Sequence, residues 1–304
     1  MFRLDRLLTL YLFHRLRRIL PRSKGIRIPI LMYHSISDEP ESGHPYFWLN
    51  TSPKRFAEHM QFLRDNNYKV IDLSEAAKMI STESSGSPNL PTFHHSSIRQ
   101  KMVVLTFDDG YRDFNTHAFP VLKQFGFTAT VFLPTDYIGN GRPGIRGKQH
   151  LSWEEVRELH AQGITFGSHT CSHPQLREVG RDVLKDELAR SHSAIETEAG
   201  ACDGFCYPYK FPEQDGHFVT VLTDSIQSAG YDYCVSTRIG TTNTASDIFS
   251  LKRIPVNSGD DVPLFAAKLR GGYDWLAILQ AGTKRLRRPA SRSFAYRRSF
   301  QSNA

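Results

Sequence analysis

Short apolar runs alternate with helix-like segments along most of this chain, and that alternation limits the folds it can adopt. Residues 28–33, 68–71, 102–107, 128–133, 164–167, 204–207, 233–235 and 251–254 read as buried strands. Between them, residues 53–66, 74–80, 113–125, 152–162, 182–199, 219–229 and 260–269 carry helical patterns. Two helix starts have their own signals. Ser52 precedes Pro53 in a first turn, and Ser152 stands three residues before Glu155, the spacing of a capping box. Strands this apolar need cover on both faces, so a parallel sheet wrapped by helices is expected. Seven or eight such units predict an α/β fold closed into a barrel, with its chemistry at the C-terminal ends of the strands. The Ser/Pro-rich stretch 81–100 reads as a loop, with His94 and His95 as solvated polar residues.

Charge divides the chain into three parts. The formal net charge is +7, yet residues 1–27 hold eight basic residues and one acid, and residues 283–304 hold seven basic residues and no acid. The body, 28–282, therefore carries 23 basic and 30 acidic residues. The basic character belongs to the two ends, which argues against a nucleic-acid-binding fold and for no specific nucleic-acid partner. Residues 283–304 read as a disordered tail.

Leu4, Leu7, Leu8, Tyr11, Leu12, Leu16 and Ile19 fall on one helical stripe, so 1–27 reads as a basic amphipathic segment. It either lies on an anionic membrane surface or packs on the protein's own body. Its uncharged run, residues 7–13, is far shorter than a spanning helix, and no small-residue cleavage site follows the arginines. The chain is thus expected in the cytoplasm, at most peripheral to the inner face of the membrane. Four cysteines rule out a disulfide scaffold. Cys171, Cys202, Cys206 and Cys234 read as small apolar residues, Cys171 standing between two histidines.

The polar residues that directly follow the strands are His34, Asp108 and Asp109, His169, the Tyr207-Pro208-Tyr209 run and Arg253. Each piece alone is weak. About one Asp-Asp dipeptide is expected by chance, and a lone H-x-x-x-H such as His169 and His173 is usually surface. The signal lies in the combination on one rim. Two imidazoles and a carboxylate make a three-ligand site for a divalent metal with a position left for water. Zinc suits that set best, and cobalt, nickel or iron also fit it. Water on such an ion has a pKa lowered to about 7, and a second carboxylate can take its proton. The adjacent pair Asp108 and Asp109 supplies one residue for each role.

Thr106-Phe107-Asp108-Asp109-Gly110, followed sixty residues on by Gly167-Ser168-His169-Thr170-Cys171-Ser172-His173-Pro174-Gln175-Leu176, resembles the motifs of the polysaccharide deacetylase family, carbohydrate esterase family 4, with its NodB-homology domain. The resemblance spans 28–282. It implies a distorted (β/α) barrel and metal-dependent removal of acetyl groups from the N-acetylated sugars of a polysaccharide or its precursor. It further implies Asp108 as general base, Asp109, His169 and His173 as metal ligands, the N–H of Tyr209 at the oxyanion, and Trp153 lining the site. Two departures stand out. Tyr207 occupies the place of an arginine that orients the base, and Arg253 stands where the family's last motif has a catalytic histidine. Tyr207 and Arg253 are accordingly grouped with the substrate and oxyanion residues. The strand ending in Tyr33-His34 resembles a circularly permuted version of the family whose acid comes from the first strand, which makes His34 the candidate acid. The alternative for His34 is a structural role at the rim, and the alternative for the protein is a non-catalytic carbohydrate-binding relative. Tyr46, Phe47, Trp48, Trp153 and Tyr209 either stack on sugar rings or belong to the core.

Overall fold

Eight parallel strands carry the molecule: β1 (Ile30–Tyr33), β2 (Tyr68–Val70), β3 (Lys101–Phe107), β4 (Thr130–Leu133), β5 (Thr165–Ser168), β6 (Gly204–Cys206), β7 (Tyr233–Ile239) and β8 (Leu251–Pro255). The computed structural model describes residues 3–13, 25–84, 100–139 and 144–282. The expectations placed on His94 and His95, on 14–24 and on the tail 283–304 fall outside those residues.

Seven strands close a ring in the order β1-β8-β7-β6-β5-β4-β3, with β3 pairing back to β1 through Ile30↔Val104 to Tyr33↔Phe107. The eighth, β2, pairs only with the first half of β3, from Tyr68↔Lys101 to Val70↔Val103, while Thr106 and Phe107 pair with β4. The barrel is therefore a distorted one, closed by seven strands with a short eighth strand alongside.

Alternation along each strand sorts the core. Ile30, Val104, Phe132, Cys206, Val235 and Leu251 form one apolar cluster together with Ile71, Leu73 and Ile80. Their neighbours Leu31, Tyr33, Leu105, Phe107, Val131, Leu133, Phe205, Cys234 and Ile254 form the other, with the helices. The first set faces into the ring and the second faces outward. The same parity, extended beyond the apolar residues, points His34, Asp108 and Arg253 inward at the strand ends.

The helices are α1 (Leu4–Leu8), α2 (Pro53–Asp65), α3 (Leu73–Ser84), α4 (Phe119–Phe125), α5 (Trp153–Ala161), α6 (Arg181–Ala199), α7 (Gly216–Ser228), α8 (Val262–Leu269) and α9 (Trp275–Gly282). In α2 the Ser52 hydroxyl accepts from the Arg55 N–H, and Phe56, His59, Met60 and Leu63 make the buried face. The capping box expected at α5 is present in both directions between Ser152 and Glu155. The helix expected over 113–125 divides into a wide π-type turn, Phe114–Ala118, and α4. Helix α9 was not foreseen, because its stretch of eight residues is short and lies just after Gly271 and Gly272. No helix of the described residues is long and apolar enough to cross a membrane.

Candidate active site

Asp108 and Asp109 follow β3, and the ring alone would place only one of them inside. Asp108 continues the inward parity and its N–H donates to the Tyr33 carbonyl at 3.0 Å. Asp109 turns inward because its backbone is left-handed, φ 70°. Gly110 makes that turn possible: it also has positive φ, and a Cβ on it would sit 2.7 Å from Leu133 Cδ2. Thr170, His173 and Tyr209 share the left-handed region with φ of 68°, 56° and 57°. Such conformations cost non-glycine residues on the order of 1 kcal/mol or more and persist where the surroundings enforce them.

The histidine loop follows β5. His169 N–H continues the ladder to the Leu133 carbonyl, and its Nδ1 lies 2.8 Å from the Cys206 carbonyl. That carbonyl fixes the proton on Nδ1 and leaves the Nε2 lone pair free for a ligand. The loop between the two histidines is held by Glu187 on α6. One carboxylate oxygen accepts the N–H groups of Cys171 and Ser172 at 2.7 and 2.9 Å, and the other accepts the Ser172 hydroxyl at 2.6 Å. His173 is thereby returned toward His169, with its ring against Tyr209 at a centroid distance of 4.6 Å.

Three ligand atoms converge. Asp109 Oδ1 is 3.6 Å from His169 Nε2 and 3.4 Å from His173 Nε2, and the two Nε2 atoms are 3.2 Å apart. Donor atoms about 2.05 Å from a tetrahedral zinc stand roughly 3.3 Å from each other, so the trio fits one face of such a site. The Tyr111 hydroxyl is buried against Asp109 and holds that carboxylate from the side away from the imidazoles.

Asp108 stands next to this trio in a different environment. Arg253 closes on it as a fork, Nη1 to Oδ1 at 2.6 Å and Nη2 to Oδ2 at 2.8 Å. The guanidinium is itself fixed by the Ser236 carbonyl, the Thr106 hydroxyl and Cys206 Sγ. Burial would raise the Asp108 pKa, but the charge and hydrogen bonds of Arg253 outweigh it and hold the carboxyl well below the usual range. His34 Nε2 lies 3.9 Å from Asp108 Oδ2. Burial lowers the His34 pKa, and Asp108 and Asp109 offset only part of that. Burial, helped by His169, pushes the His173 pKa down to about 4, which keeps its ring neutral and able to ligate.

The structure thus brings His34, Asp108, Asp109, His169, His173, Tyr209 and Arg253 together at one mouth. It moves Arg253 away from the substrate group: the side chain is 1% exposed and spends its donors on Asp108 and its surroundings. An arginine, absent at the Tyr207 position, thus reaches Asp108 from β8. Tyr207 is buried, its ring edge-on to Phe211 at 5.2 Å. Trp153 packs beside Gly139 on the segment that Leu151 N–H ties to the Gly110 carbonyl. His150 and Glu187 escaped the sequence reading. His150 Nδ1 meets the Asp109 carbonyl at 2.8 Å, yet nothing in its sequence surroundings marks it. Glu187 shows a faint sign, a lone acid on the apolar stripe of Leu184, Leu188 and Ile195. Beside Tyr209 a cleft of about 530 Å³ opens between residues 175–178 and 207–216.

A family model described as polysaccharide deacetylase matches residues 95–233. YxkH of Bacillus subtilis, a polysaccharide deacetylase by name, is 30% identical over 245 residues, 80% of this chain and 76% of YxkH. The chain belongs to the polysaccharide deacetylase family. The poly-β-1,6-N-acetyl-D-glucosamine N-deacetylase of Escherichia coli is 25% identical over 271 residues, covering 79% of this deacetylase but 38% of the E. coli protein. Among solved structures, the Streptococcus pyogenes deacetylase PplD in complex with acetate superposes with a TM-score of 0.65 at 24% identity, over 81% of this chain and 99% of PplD. IcaB from Ammonifex degensii does so with 0.63 at 22%, over 82% and 99%. These structures share its barrel.

Proposed function

We propose that this family member removes acetyl groups from N-acetylated sugars of a polysaccharide or its precursor, with residues 28–282 as the catalytic barrel. The observation that carries the reading is the pairing of an arginine-held carboxylate, Asp108, with the three convergent donors of Asp109, His169 and His173. That donor set would hold a divalent ion, zinc by preference, which supplies a Lewis acid for the acetyl carbonyl and lowers the pKa of water beside it.

Asp108 is ionised at neutral pH and takes the proton of the attacking water; each of its oxygens keeps room for a further hydrogen bond. Arg253 fixes the plane of that carboxylate. The Tyr209 N–H, on a left-handed backbone at the rim, faces the developing oxyanion. His34 begins neutral with Nε2 3.9 Å from Asp108 Oδ2, a gap that one bridging water spans; the proton passes through that water to His34, which delivers it to the sugar nitrogen as the carbon–nitrogen bond breaks. The cleft beside Tyr209 offers space for sugar units flanking the reacting one. A β-1,6-linked N-acetylglucosamine oligomer is the first substrate to try, by likeness to the E. coli relative.

Acetate release from a panel of N-acetylated oligosaccharides, with zinc or cobalt and with a chelator, tests the proposal. Release that the chelator abolishes supports it. Tight sugar binding with no acetate under either metal would support a carbohydrate-binding relative instead.

A further inference from the structure

The first helix sits on the barrel the wrong way round for a helix that only packs. A surface helix buries its apolar stripe and shows its polar side. Here residues 3–13 turn their polar side inward. Arg3 donates to the Gly259 carbonyl at 2.8 Å and to Asp260 at 3.3 Å. Asp5 accepts from Arg3 at 2.5 Å and from the Tyr273 hydroxyl at 2.7 Å. Arg6 pairs with Asp261, and Thr9 accepts from the Trp275 indole at 3.1 Å. Most of the apolar stripe is left outside: Leu4 is 56% exposed, Leu7 41%, Tyr11 63% and Leu12 45%, with Leu8 half-buried. Among the described residues these are four of the seven large apolar side chains that stand exposed. A fifth, Phe47, belongs to the turn Pro45–Phe47, which meets Arg3 over Gly259 in the loop after β8.

The charge of this flank says what would cover it. The single acid of residues 1–27 is Asp5, and Asp5 is buried, so every charge the segment offers outward is positive. Six more basic residues, Arg15, Arg17, Arg18, Arg22, Lys24 and Arg27, follow the docked part in sequence. The basic C-terminal stretch starts after α9, and the first residue of α9, Trp275, stacks on Phe13 at 4.6 Å. Phe13 thus stands beside the first turn of α9, the helix that precedes the basic C-terminal stretch in sequence.

We propose that this flank seats the enzyme on an anionic lipid bilayer, with Leu4, Leu7, Tyr11 and Leu12 in the interface and the arginines at the headgroups. Apolar insertion and electrostatic attraction then add, as they do for interfacial helices. The inward polar contacts make the helix a rigid part of the barrel, so docking sets the orientation of the whole enzyme and brings Phe47 and the rim after β1 and β8 near the bilayer.

The test is co-sedimentation of the full chain with phosphatidylcholine vesicles and with phosphatidylcholine–phosphatidylglycerol vesicles, for the natural protein and for Leu4→Ser/Leu7→Ser/Leu12→Ser. The natural protein should bind the anionic vesicles, with weaker binding to neutral ones and at high salt. The triple variant should lose roughly tenfold or more of that binding while releasing acetate from a soluble oligosaccharide at the natural rate. Equal binding by the two proteins, or none by the natural one at low salt, overturns the proposal. So does a dimer in size-exclusion chromatography that the triple variant abolishes, because a second copy would then own the ridge. The vesicle readout needs no substrate, so its failure is distinct from failure of the deacetylase reading.

Discussion

The chain contains two Asp-Asp dipeptides, and the structure uses them in opposite ways. At 108–109 and at 260–261 the first aspartate is buried against a cation, Arg253 in one case and Lys268 in the other, at 2.6 and 2.7 Å. The second aspartate makes the difference. Asp261 has an extended backbone and caps α8, accepting the Leu264 N–H, with Pro263 inside the first turn. Asp109 is left-handed, followed by Gly110, and its carboxylate turns to two imidazoles. Burial and ion pairing alone thus do not tell a carboxylate of the mouth from one that only holds the fold. The distinguishing features are an enforced backbone and neighbours with uncommitted lone pairs.

The comparison breaks most visibly in activity. Asp108→Asn should lower acetate release by about 10²- to 10⁴-fold, the range for loss of a general base, with the fold intact by circular dichroism. Asp260→Asn should change the rate of the folded enzyme by less than about twofold, since nothing of Asp260 reaches the mouth. Equal losses in the two variants would erase the distinction. Arg253→Lys keeps the charge but loses the fork, and steady-state kinetics should show kcat falling while KM holds.

Stability should reverse the order. Asp260→Ala leaves the buried Lys268 without its carboxylate partner and is expected to cost about 3–5 kcal/mol in denaturant unfolding. Next comes pH. His59 on α2 is buried with Nε2 on the Asp260 carbonyl at 2.7 Å and Nδ1 on the Tyr33 hydroxyl at 3.1 Å, and burial pushes its pKa down to about 4. A histidine with a depressed folded pKa contributes fully above its unfolded value near 6.5, and the contribution is lost as pH falls toward 4. Unfolding free energy should drop by up to about 3 kcal/mol over that window, and His59→Gln should flatten the slope. The smallest effect is at the cap: Asp261→Ala should cost about 1 kcal/mol and leave acetate release unchanged.

Most of the barrel was legible because its strands are nearly continuous apolar runs and its helices announce their starts, as Ser52-Pro53 and Ser152–Glu155 do. The convergence of Asp109, His169 and His173 was legible because Asp109 and His169 follow strands of one rim and His173 stands four residues beyond His169. The role of Arg253 was not, since its partner lies 145 residues away in sequence and only the closed ring puts β8 inside reach of Asp108. The same holds for His150, which acts through a backbone carbonyl. The stripe of α1 was visible, but its direction was not: Asp5 and Thr9 are ordinary polar residues until Tyr273 and Trp275 fold against them.

Metal content per chain, measured after loading with zinc and exhaustive dialysis alongside acetate release, tests the central claim most directly. The account predicts one ion per chain in the natural protein and in Asp108→Asn, near-zero metal in His169→Ala, and acetate release only from the natural protein. A full equivalent of tightly held zinc in His169→Ala, or undiminished turnover by Asp108→Asn, would contradict it.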